Sequence, residues 1–219
     1  MDFYSTLSLY YDDLFPVDVN EMAFLRSLVV GSGDLLDIGC GTGNKTVYFS
    51  DAVGRITAFD NDAKMIELAR RDNPRPNIRY EVFDMAGMSA GMPGASFNAA
   101  LCLGNTLVHL DGLSAIAAFL QSVHDVLRPQ GVFVLQILNY DRILNRHVEN
   151  LPLLESRDAT FSRSYRPEGD RLHFLTRLNV LASGESFEND VLLYPLRSRE
   201  LLELLDDAGF SRPDLHGCF

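Results

Sequence analysis

The sequence predicts an α/β protein with a Rossmann-like, doubly wound and mainly parallel sheet, helices on both faces, and a small antiparallel β cap inserted after the fifth strand. Short apolar runs alternate with helical patterns over residues 18–140, and a parallel sheet is the economical way to fold such an alternation. A glycine-rich loop follows the first apolar run, at the edge where open parallel sheets bind ligands. Beyond residue 155, strand-like segments are separated only by turn signals, which predicts the cap.

Helix and strand signals place the core elements in order. Asp18 and Glu21 form a helix-opening pair, and the helix that follows them ends near Gly31. Helices are also predicted from 43–46 onward, over 63–71 and over 113–123, with "LRPQG" (127–131) ending the last of them. Short apolar runs predict five parallel strands, at 34–40, 55–62, 77–85, 97–105 and 132–140.

The cap and the C-terminus complete the predicted fold. Three strands are expected between residues 159 and 196, with turns at 167–170 and 183–185. A helix over 198–210 has Ser198 as its cap and Gly209 as its stop signal, and residues 211–219 are predicted to form a sixth strand. The expected organisation is a core with an N-terminal lid segment (1–154), the β cap (155–196), and a C-terminal helix and strand that complete the core (197–219).

Composition and charge narrow the function classes. The 219 residues are 47% hydrophobic and 22% charged, as in an ordinary globular domain, and the net charge is −11. Nucleic acids require a basic face, so no nucleic-acid partner is expected. The sequence shows neither a signal peptide nor a run of membrane-spanning length, and Cys40, Cys102 and Cys218 have no metal-ligand or redox spacing. We therefore expect a cytoplasmic protein with reduced thiols, no bound metal and no membrane partner.

The loop "GCGTGNKT" (39–46) resembles two nucleotide motifs and completes neither. Asn44 stands where both the phosphate-binding P-loop and the dinucleotide fingerprint require their last glycine. Carboxylates surround the loop: Asp37 precedes it, and Asp60 and Asp84 end the second and third predicted strands. Asp60 can accept both ribose hydroxyls, and Asp84 can meet an adenine amine. Three acids suit a ligand with an ammonium or sulfonium group better than one with a diphosphate.

Four motifs in this order, "LLDIGCGTGN", "ITAFDND", "YEVFDM" and "FNAALCLGNTLVHL", resemble those of class I S-adenosylmethionine-dependent methyltransferases, over about residues 8 to 145. The resemblance implies a Rossmann-like fold, S-adenosylmethionine as cofactor and S-adenosylhomocysteine as product. It also implies contacts to the methionine part by Asp37, Gly39 and Gly41, to the ribose by Asp60, to the adenine by Asn61, Met65, Asp84 and Met85, and on the sulfonium side by Leu103, Gly104 and Asn105.

Three shorter stretches, "LYYDDLF", "CLGNTLVHL" and "LQILNYDRIL", are similar to the small-molecule branch that includes glycine and sarcosine N-methyltransferases. This similarity implies a small-molecule methyl acceptor, more readily at nitrogen than at oxygen. It implies that Tyr11 covers the cofactor and that His109, Asn139, Tyr140 and Arg142 face the acceptor.

The family sheet usually ends with a sixth strand and an antiparallel seventh, and here only the sixth has a candidate segment. We therefore expect an unpaired edge strand, which favours association into a homodimer.

Other readings of these residues stay open from the sequence. His109 also suits a helix-entry histidine bonded to backbone, Tyr11 can simply pack the N-terminal segment, and Asn139 and Tyr140 are equally compatible with structural roles. Arg163, Arg166 and Arg177 of the cap either pair with a substrate carboxylate or lie on solvated strand faces. The alternatives at the level of function are a small-molecule O-methyltransferase with His109 as base, an NAD-dependent oxidoreductase, and a non-catalytic adenosylmethionine-binding protein.

Overall fold

The computed structural model describes residues 3–29, 31, 33–92, 94–211 and 213–217. Five parallel strands form the main sheet in the order β3-β2-β1-β4-β5, which confirms the predicted doubly wound arrangement. The chain runs outward from β1 to β3 and then returns to β4, so the strand order reverses between β1 and β4. Ligands bind at such a switch point, outside the carboxyl ends of the strands. The strands are β1 (Asp34–Ile38), β2 (Arg55–Asp60), β3 (Ile78–Val82), β4 (Phe97–Cys102) and β5 (Leu127–Leu135).

Helices cover both faces of this sheet and lead into it from the N-terminus. The α-helices are α1 (Phe3–Leu7), α2 (Tyr11–Leu14), α3 (Val19–Val29), α4 (Ala63–Asp72), α5 (Met88–Gly91), α6 (Gly112–Val126), α7 (Tyr140–Asn145) and α8 (Ser198–Asp207), with 3₁₀ helices at Thr46–Phe49, Met85–Gly87 and Thr106–His109. The helix predicted from 43–46 onward is therefore only the first of these 3₁₀ turns. Asp18 accepts hydrogen bonds from the amides of Asn20 and Glu21, which explains where α3 begins.

The central strand is buried on both faces. Leu36 and Ile38 of β1 pack into one hydrophobic cluster with the helix α6, whereas Leu35 packs into the other with α3. Strand side chains alternate between faces, so a continuous apolar run is what a strand covered on both sides requires. This is why the sequence signal for β1 to β4 was strong. Cys40 and Cys102 lie in these clusters as buried free thiols, and Cys218 lies outside the described residues.

The fifth strand differs from its prediction. It covers Leu127–Leu135 rather than 132–140: pairing with β4 already begins at Leu127, shifts register before Val132, and ends where Leu135 stands opposite Cys102. The segment "LRPQG" thus forms an irregularity inside the strand, where Gln130 adopts a φ of 66°. Tyr140 begins α7 instead of ending β5, which changes the direction in which it points.

The C-terminal segment also departs from expectation. Ser198 is the first residue of α8 rather than its cap, and its amide donates to the carboxylate of Asp141. Gly209 does end the helix, with a φ of 90°. The predicted sixth strand is wrong for residues 211 and 213–217, which form no strand, while Arg212 and Phe219 lie outside the described residues. Within the described part of the chain, β5 is therefore an edge of the sheet.

A second, antiparallel sheet follows the fifth strand, as predicted, with one strand more than expected. Its order is β6-β7-β8-β9, with β6 (Leu154–Glu155), β7 (Ala159–Glu168), β8 (Arg171–Val180) and β9 (Ser186–Leu193). Phe161 of β7 packs against Leu7 and Leu14 of the N-terminal helices. Leu172 and Leu193 pack into the main core instead. The inner face of this sheet therefore bridges the N-terminal helices and the core.

A search of the described residues finds no helix that combines the length and apolar character needed to cross a membrane.

Candidate active site

A cavity of about 470 Å³ opens at the carboxyl ends of β1, β2 and β4. This volume lies within the range of small-molecule sites, roughly 300–1,000 Å³. Its wall combines the glycine loop, the ends of β2 and β3, the loop after β4 and the N-terminal helices. The lining residues are Tyr4, Leu7, Tyr11, Gly39, Gly41, Phe59, Asp60, Asn61, Asp62, Met65, Phe83, Asp84, Met85, Gly104, Thr106 and His109.

The glycine loop needs its glycines for conformation and for space. Gly39 and Gly41 line the cavity with φ values of 71° and 55°, a region that other residues enter only with strain. A Cβ on Gly39 would lie 2.6 Å from the Thr106 methyl group. Gly43 has a φ of 73°, and a Cβ there would lie 2.6 Å from the Tyr80 hydroxyl. The third glycine of the loop is thus one position before Asn44.

Asp60 joins this loop to the end of β2. One carboxylate oxygen accepts the Gly41 amide at 2.9 Å, and the other accepts the Asp62 amide at 3.0 Å. Desolvation by burial raises the pKa of Asp60. Each carboxylate oxygen can accept more than one hydrogen bond, so Asp60 retains acceptor capacity at the cavity wall.

Asp37 lies behind the loop instead of in the cavity wall. Its side chain is buried, and its carboxylate accepts the Thr46 hydroxyl at 2.6 Å. Burial raises the pKa of this carboxyl to about 6. The structure therefore places Asp37 as a support of the loop, not among the lining residues expected to meet the methionine part.

The expected adenine residues come together at the ends of β2 and β3. Asn61, Met65, Asp84 and Met85 all line the same side of the cavity. Phe59 and Phe83 complete this side, with ring centroids 5.2 Å apart in an edge-to-face arrangement. Those two phenylalanines were not predicted. An aromatic residue beside each strand-end acid was the available signal, but a strand sequence does not say which face its residues take.

The loop after β4 contributes the opposite wall. Gly104 and Thr106 line the cavity, whereas Leu103 is buried behind them. The Gly104 amide donates to the Gln136 side chain at 3.0 Å. Asn105, expected at the cofactor, turns away from the cavity lining and donates its amide to the Tyr140 hydroxyl at 3.0 Å.

Comparison with known proteins agrees with this geometry. Residues 35–131 match a family model described as a methyltransferase domain. A glycine/sarcosine N-methyltransferase from Halorhodospira halochloris is 26% identical over 86% of this chain and 69% of its own length. A dTDP-3-amino-3,6-dideoxy-alpha-D-glucopyranose N,N-dimethyltransferase from Streptomyces fradiae is 30% identical over 52% of this chain and 43% of its own length.

By these similarities the chain resembles the class I S-adenosylmethionine-dependent methyltransferases, with residues 35–131 matching the methyltransferase domain. Solved structures agree on the fold. CcbJ, a methyltransferase from Streptomyces caelestis, superposes with a TM-score of 0.75 at 19% identity, over 95% of this chain and 87% of its own. CalS10, an amino pentose methyltransferase from Micromonospora echinaspora, does so with a TM-score of 0.72 at 22% identity, over 95% and 89%. The NAD-dependent oxidoreductase and non-catalytic alternatives are not favoured by these findings.

The N-terminal helices α1 and α2 of this chain cover the cavity. Tyr11 lines it, and burial raises the pKa of its hydroxyl to about 12. Tyr4 and Leu7 line it as well, although neither was predicted. The Tyr4 hydroxyl accepts a hydrogen bond from Asn189 of β9 at 3.0 Å, so α1 is also fixed to the antiparallel sheet. We call residues 3–14 the N-terminal lid.

The four residues expected at the acceptor do not come together. His109 lines the cavity, and desolvation lowers the pKa of its imidazole. Asn139 instead caps α7 by accepting the Arg142 amide at 2.8 Å, and Tyr140 is 1% exposed and bonded to Asn105. Neither lines the cavity. Their placement follows from β5, which ends at Leu135, so that these residues form the first turn of a helix.

The residues present fit S-adenosylmethionine. The glycines leave room that a Cβ would fill, Asp60 offers a carboxylate at the end of β2, and Met65, Phe59 and Phe83 offer apolar surface beside it. The adenosyl group requires this combination of a diol acceptor and an apolar slot.

Proposed function

We propose that this enzyme transfers the methyl group of S-adenosylmethionine to a nitrogen atom of a small-molecule acceptor. The observation that carries the proposal is the neutral imidazole of His109 in the cavity wall beside Thr106. Among the described residues that line it, His109 is the only histidine, and the lowered pKa keeps its ring neutral near pH 7. A neutral imidazole adds no positive charge beside a sulfonium, and an amine lone pair needs no strong base. The two curated relatives described above are both named for methylation at nitrogen.

We assign the binding roles as follows. Gly39 and Gly41 let the backbone approach the cofactor, and Asp60 accepts its ribose hydroxyls. Asn61, Met65, Asp84 and Met85 receive the adenine, and Gly104 lies on the sulfonium side. Asp37 acts through the loop by holding Thr46.

When bound, the cofactor supplies a methyl group on a positively charged sulfur, so that the carbon–sulfur bond breaks as the carbon–nitrogen bond forms and the acceptor nitrogen loses a proton. The chain's own residues align the reactants and exclude water. Tyr11 and Leu7 cover the cavity from the lid, and such orientation accounts for much of the rate in reactions of this kind. A ring nitrogen of His109 can accept the released proton, because the imidazole is neutral.

We further propose that the protein acts in the cytoplasm, as a homodimer, with the three segments 1–154, 155–196 and 197–219 as its structural units. The buried free thiols Cys40 and Cys102 support a reducing compartment. The β5 edge, which has a partner on one side only within the described residues, supports association. Sedimentation of the purified protein tests the oligomeric state.

Calorimetric titration tests the core of the proposal. The protein is titrated in parallel with S-adenosylmethionine, S-adenosylhomocysteine and NAD, and then assayed with amine acceptors and their hydroxyl analogues. We expect saturable binding of the first two ligands, none of NAD, and methylation of amines only. Methylation of the hydroxyl analogues alone would contradict the assignment to nitrogen.

A further inference from the structure

An arginine on the inner face of the antiparallel sheet, Arg163, has no anionic partner within the part of the chain that the structure describes. Arg163 of β7 donates through Nη2 to the Pro152 carbonyl at 2.9 Å, while its Nε is buried without a hydrogen-bond partner. No carboxylate of the described residues forms an ion pair with Arg163. Desolvation lowers the pKa of its guanidinium. A buried donor left unpaired lowers the stability of the fold, and a charged donor lowers it more, so an arginine in this state calls for an explanation.

The other arginines of this sheet are neutralised. Arg177 donates to Glu188 at 2.8 and 2.5 Å, and Arg166 lies 3.7 Å from Asp190. Arg177 is exposed, and its strand position is opposite Ser162, one residue from Arg163 and on the other face. The solvated-face alternative therefore accounts for Arg166 and Arg177. It does not account for Arg163.

A second unpaired polar group lies next to this arginine. Tyr165 is two positions along β7, so both side chains take the same face of the sheet. Its hydroxyl is buried and has no hydrogen-bond partner among the residues that the structure describes, although it lies close enough to the Tyr140 hydroxyl for each to affect the other's pKa. Two unpaired donors on one inner face form a site that is complete except for an acceptor atom.

Neither group lines the cavity described above, but contacts through neighbouring side chains connect both of them to its wall. The Arg163 guanidinium lies 5.9 Å from the centre of the Phe15 ring, and that ring lies 4.8 Å from the ring of Tyr11 in the cavity wall. On the other side, Tyr165 packs against Tyr140, whose hydroxyl bonds Asn105 between the lining residues of the β4 loop. These contacts connect the pair to Tyr11 of the N-terminal lid on one side and to Asn105 of the loop after β4 on the other.

We infer that Arg163 and Tyr165 form a subsite that receives an anionic group of the methyl acceptor, either a carboxylate or a phosphate. A guanidinium offers a planar fork that matches both groups, and the phenol adds a third donor. Arg163 is half-buried and Tyr165 is buried, so the interaction is stronger than in water. Because the guanidinium lies over the ring of Phe15, the residue that directly follows the lid, the acceptor reaches it when the lid shifts. This inference rests on the proposed function, and it restricts the acceptor to molecules that carry a negative group beside the methylated nitrogen.

Anion binding without turnover is the first test. Thermal unfolding is measured with saturating S-adenosylhomocysteine and increasing sodium acetate or sodium phosphate, against sodium chloride at equal ionic strength. The variants are Arg163→Gln, Arg163→Lys and Tyr165→Phe, with Arg177→Gln as the matched control on the outer face. We expect acetate or phosphate to raise the unfolding temperature of the unmodified protein and of Arg177→Gln, but not of Arg163→Gln. Which anion does so distinguishes carboxylate from phosphate. Equal responses of Arg163→Gln and Arg177→Gln would overturn the inference, as would no response to either anion.

Methyl transfer is the second test, with glycine and phosphoethanolamine as anionic amines and ethanolamine as the neutral one. We expect Arg163→Gln to raise KM for the anionic acceptor by roughly 10- to 100-fold, as the loss of a charged hydrogen bond predicts, with unchanged affinity for S-adenosylhomocysteine. For Arg163→Lys we expect a KM between those of Arg163→Gln and the unmodified protein. Tyr165→Phe should raise KM less than Arg163→Gln does. Preferred methylation of ethanolamine, unaffected by Arg163→Gln, would overturn the inference and leave the proposed function standing. Anion binding that depends on Arg163, without any methyl transfer, would instead support the anion subsite and contradict the proposed function.

Discussion

The hydroxyl of Thr42 donates a hydrogen bond to the carboxylate of Asp12 at 2.5 Å, and this contact joins the glycine loop to α2 of the N-terminal lid. The neighbouring residues repeat the connection, because Tyr11 lies within 3.9 Å of the place where a Cβ on Gly41 would be. Loop and lid are thus held together at two successive positions of each. A cofactor that orders the loop would for this reason also stabilise the closed lid.

The first prediction concerns that contact. Asp12→Ala should weaken S-adenosylmethionine binding about fivefold, since one hydrogen bond at a partly buried position contributes about 1 kcal/mol. It should also speed proteolysis within the N-terminal lid. The control Asp13→Ala should change neither the affinity for S-adenosylmethionine nor the rate of proteolysis. Titration calorimetry and limited proteolysis measure the two effects. Equal behaviour of the two variants would show that the contact does not hold the lid.

The second prediction concerns Asp60. Asp60→Ala should weaken cofactor binding by about 1–3 kcal/mol, or roughly 5- to 150-fold, because the Gly41 amide and the ribose hydroxyls lose their acceptor. Asp60→Asn keeps one acceptor oxygen and should lose less. Calorimetry with S-adenosylhomocysteine measures both. An unchanged affinity of Asp60→Ala would count against the assignment of the ribose to this residue.

The third prediction separates backbone strain from lack of space. Gly39 and Gly184 share a φ of 71°, but a Cβ on Gly39 would lie 2.6 Å from Thr106, whereas one on Gly184 would meet nothing within 4 Å. Gly184→Ala should therefore cost only the left-handed strain, about 1–2 kcal/mol of unfolding free energy, and leave cofactor binding unchanged. Gly39→Ala should cost more stability and abolish measurable binding. Denaturant unfolding and calorimetry of the two variants make the comparison.

The elements that carried the strongest sequence signals are those that burial alone dictates. The run Asp34–Ile38 reads as a strand because it is covered on both faces, and the carboxylate of Asp60 could be placed because β2 ends there. Where β5 ends could not be predicted, since it ends at Leu135, opposite Cys102 at the end of β4, and the sequence does not show this pairing. Because β5 ends at Leu135, Tyr140 lies in a buried helical turn, away from the cavity.

The direction in which a side chain points was the second property that could not be predicted from the sequence. Asp37 and Asp60 both belong to strands at the switch point, yet Asp37 faces Thr46 behind the loop while Asp60 lines the cavity. Arg163 could not be told from Arg177 for the same reason, because a one-residue change of register exchanges the two faces of a strand. Only the pairing of β7 with β8 decides between them.

The fourth prediction uses the pKa of His109. Burial lowers that pKa, so the imidazole stays neutral down to a pH below its ordinary value of about 6.5. If it accepts the proton released by an amine, the acid limb of kcat should lie below pH 6.5 and disappear in His109→Gln, with only a modest loss of rate at pH 8. A hydroxyl acceptor would instead require the base, and His109→Gln would then lose nearly all activity. The pH profile of both proteins distinguishes the two acceptors.

The fifth prediction concerns Asp37, whose pKa is raised to about 6 chiefly by burial. A carboxyl with a raised pKa binds its proton more tightly in the folded state than in the unfolded state, where the pKa is about 4. Its contribution to stability is therefore fully present below pH 4 and is lost as the pH rises through 6.

Asp37→Asn keeps an acceptor for the Thr46 hydroxyl and removes the buried charge. At pH 7.5 its unfolding free energy should exceed that of the unmodified protein by about 2–3 kcal/mol, as two pKa units imply, and the difference should vanish below pH 4. Urea unfolding over this pH range measures it. A less stable Asp37→Asn at pH 7.5 would mean that the charged carboxylate is satisfied by its neighbours, and that the loop depends on its charge.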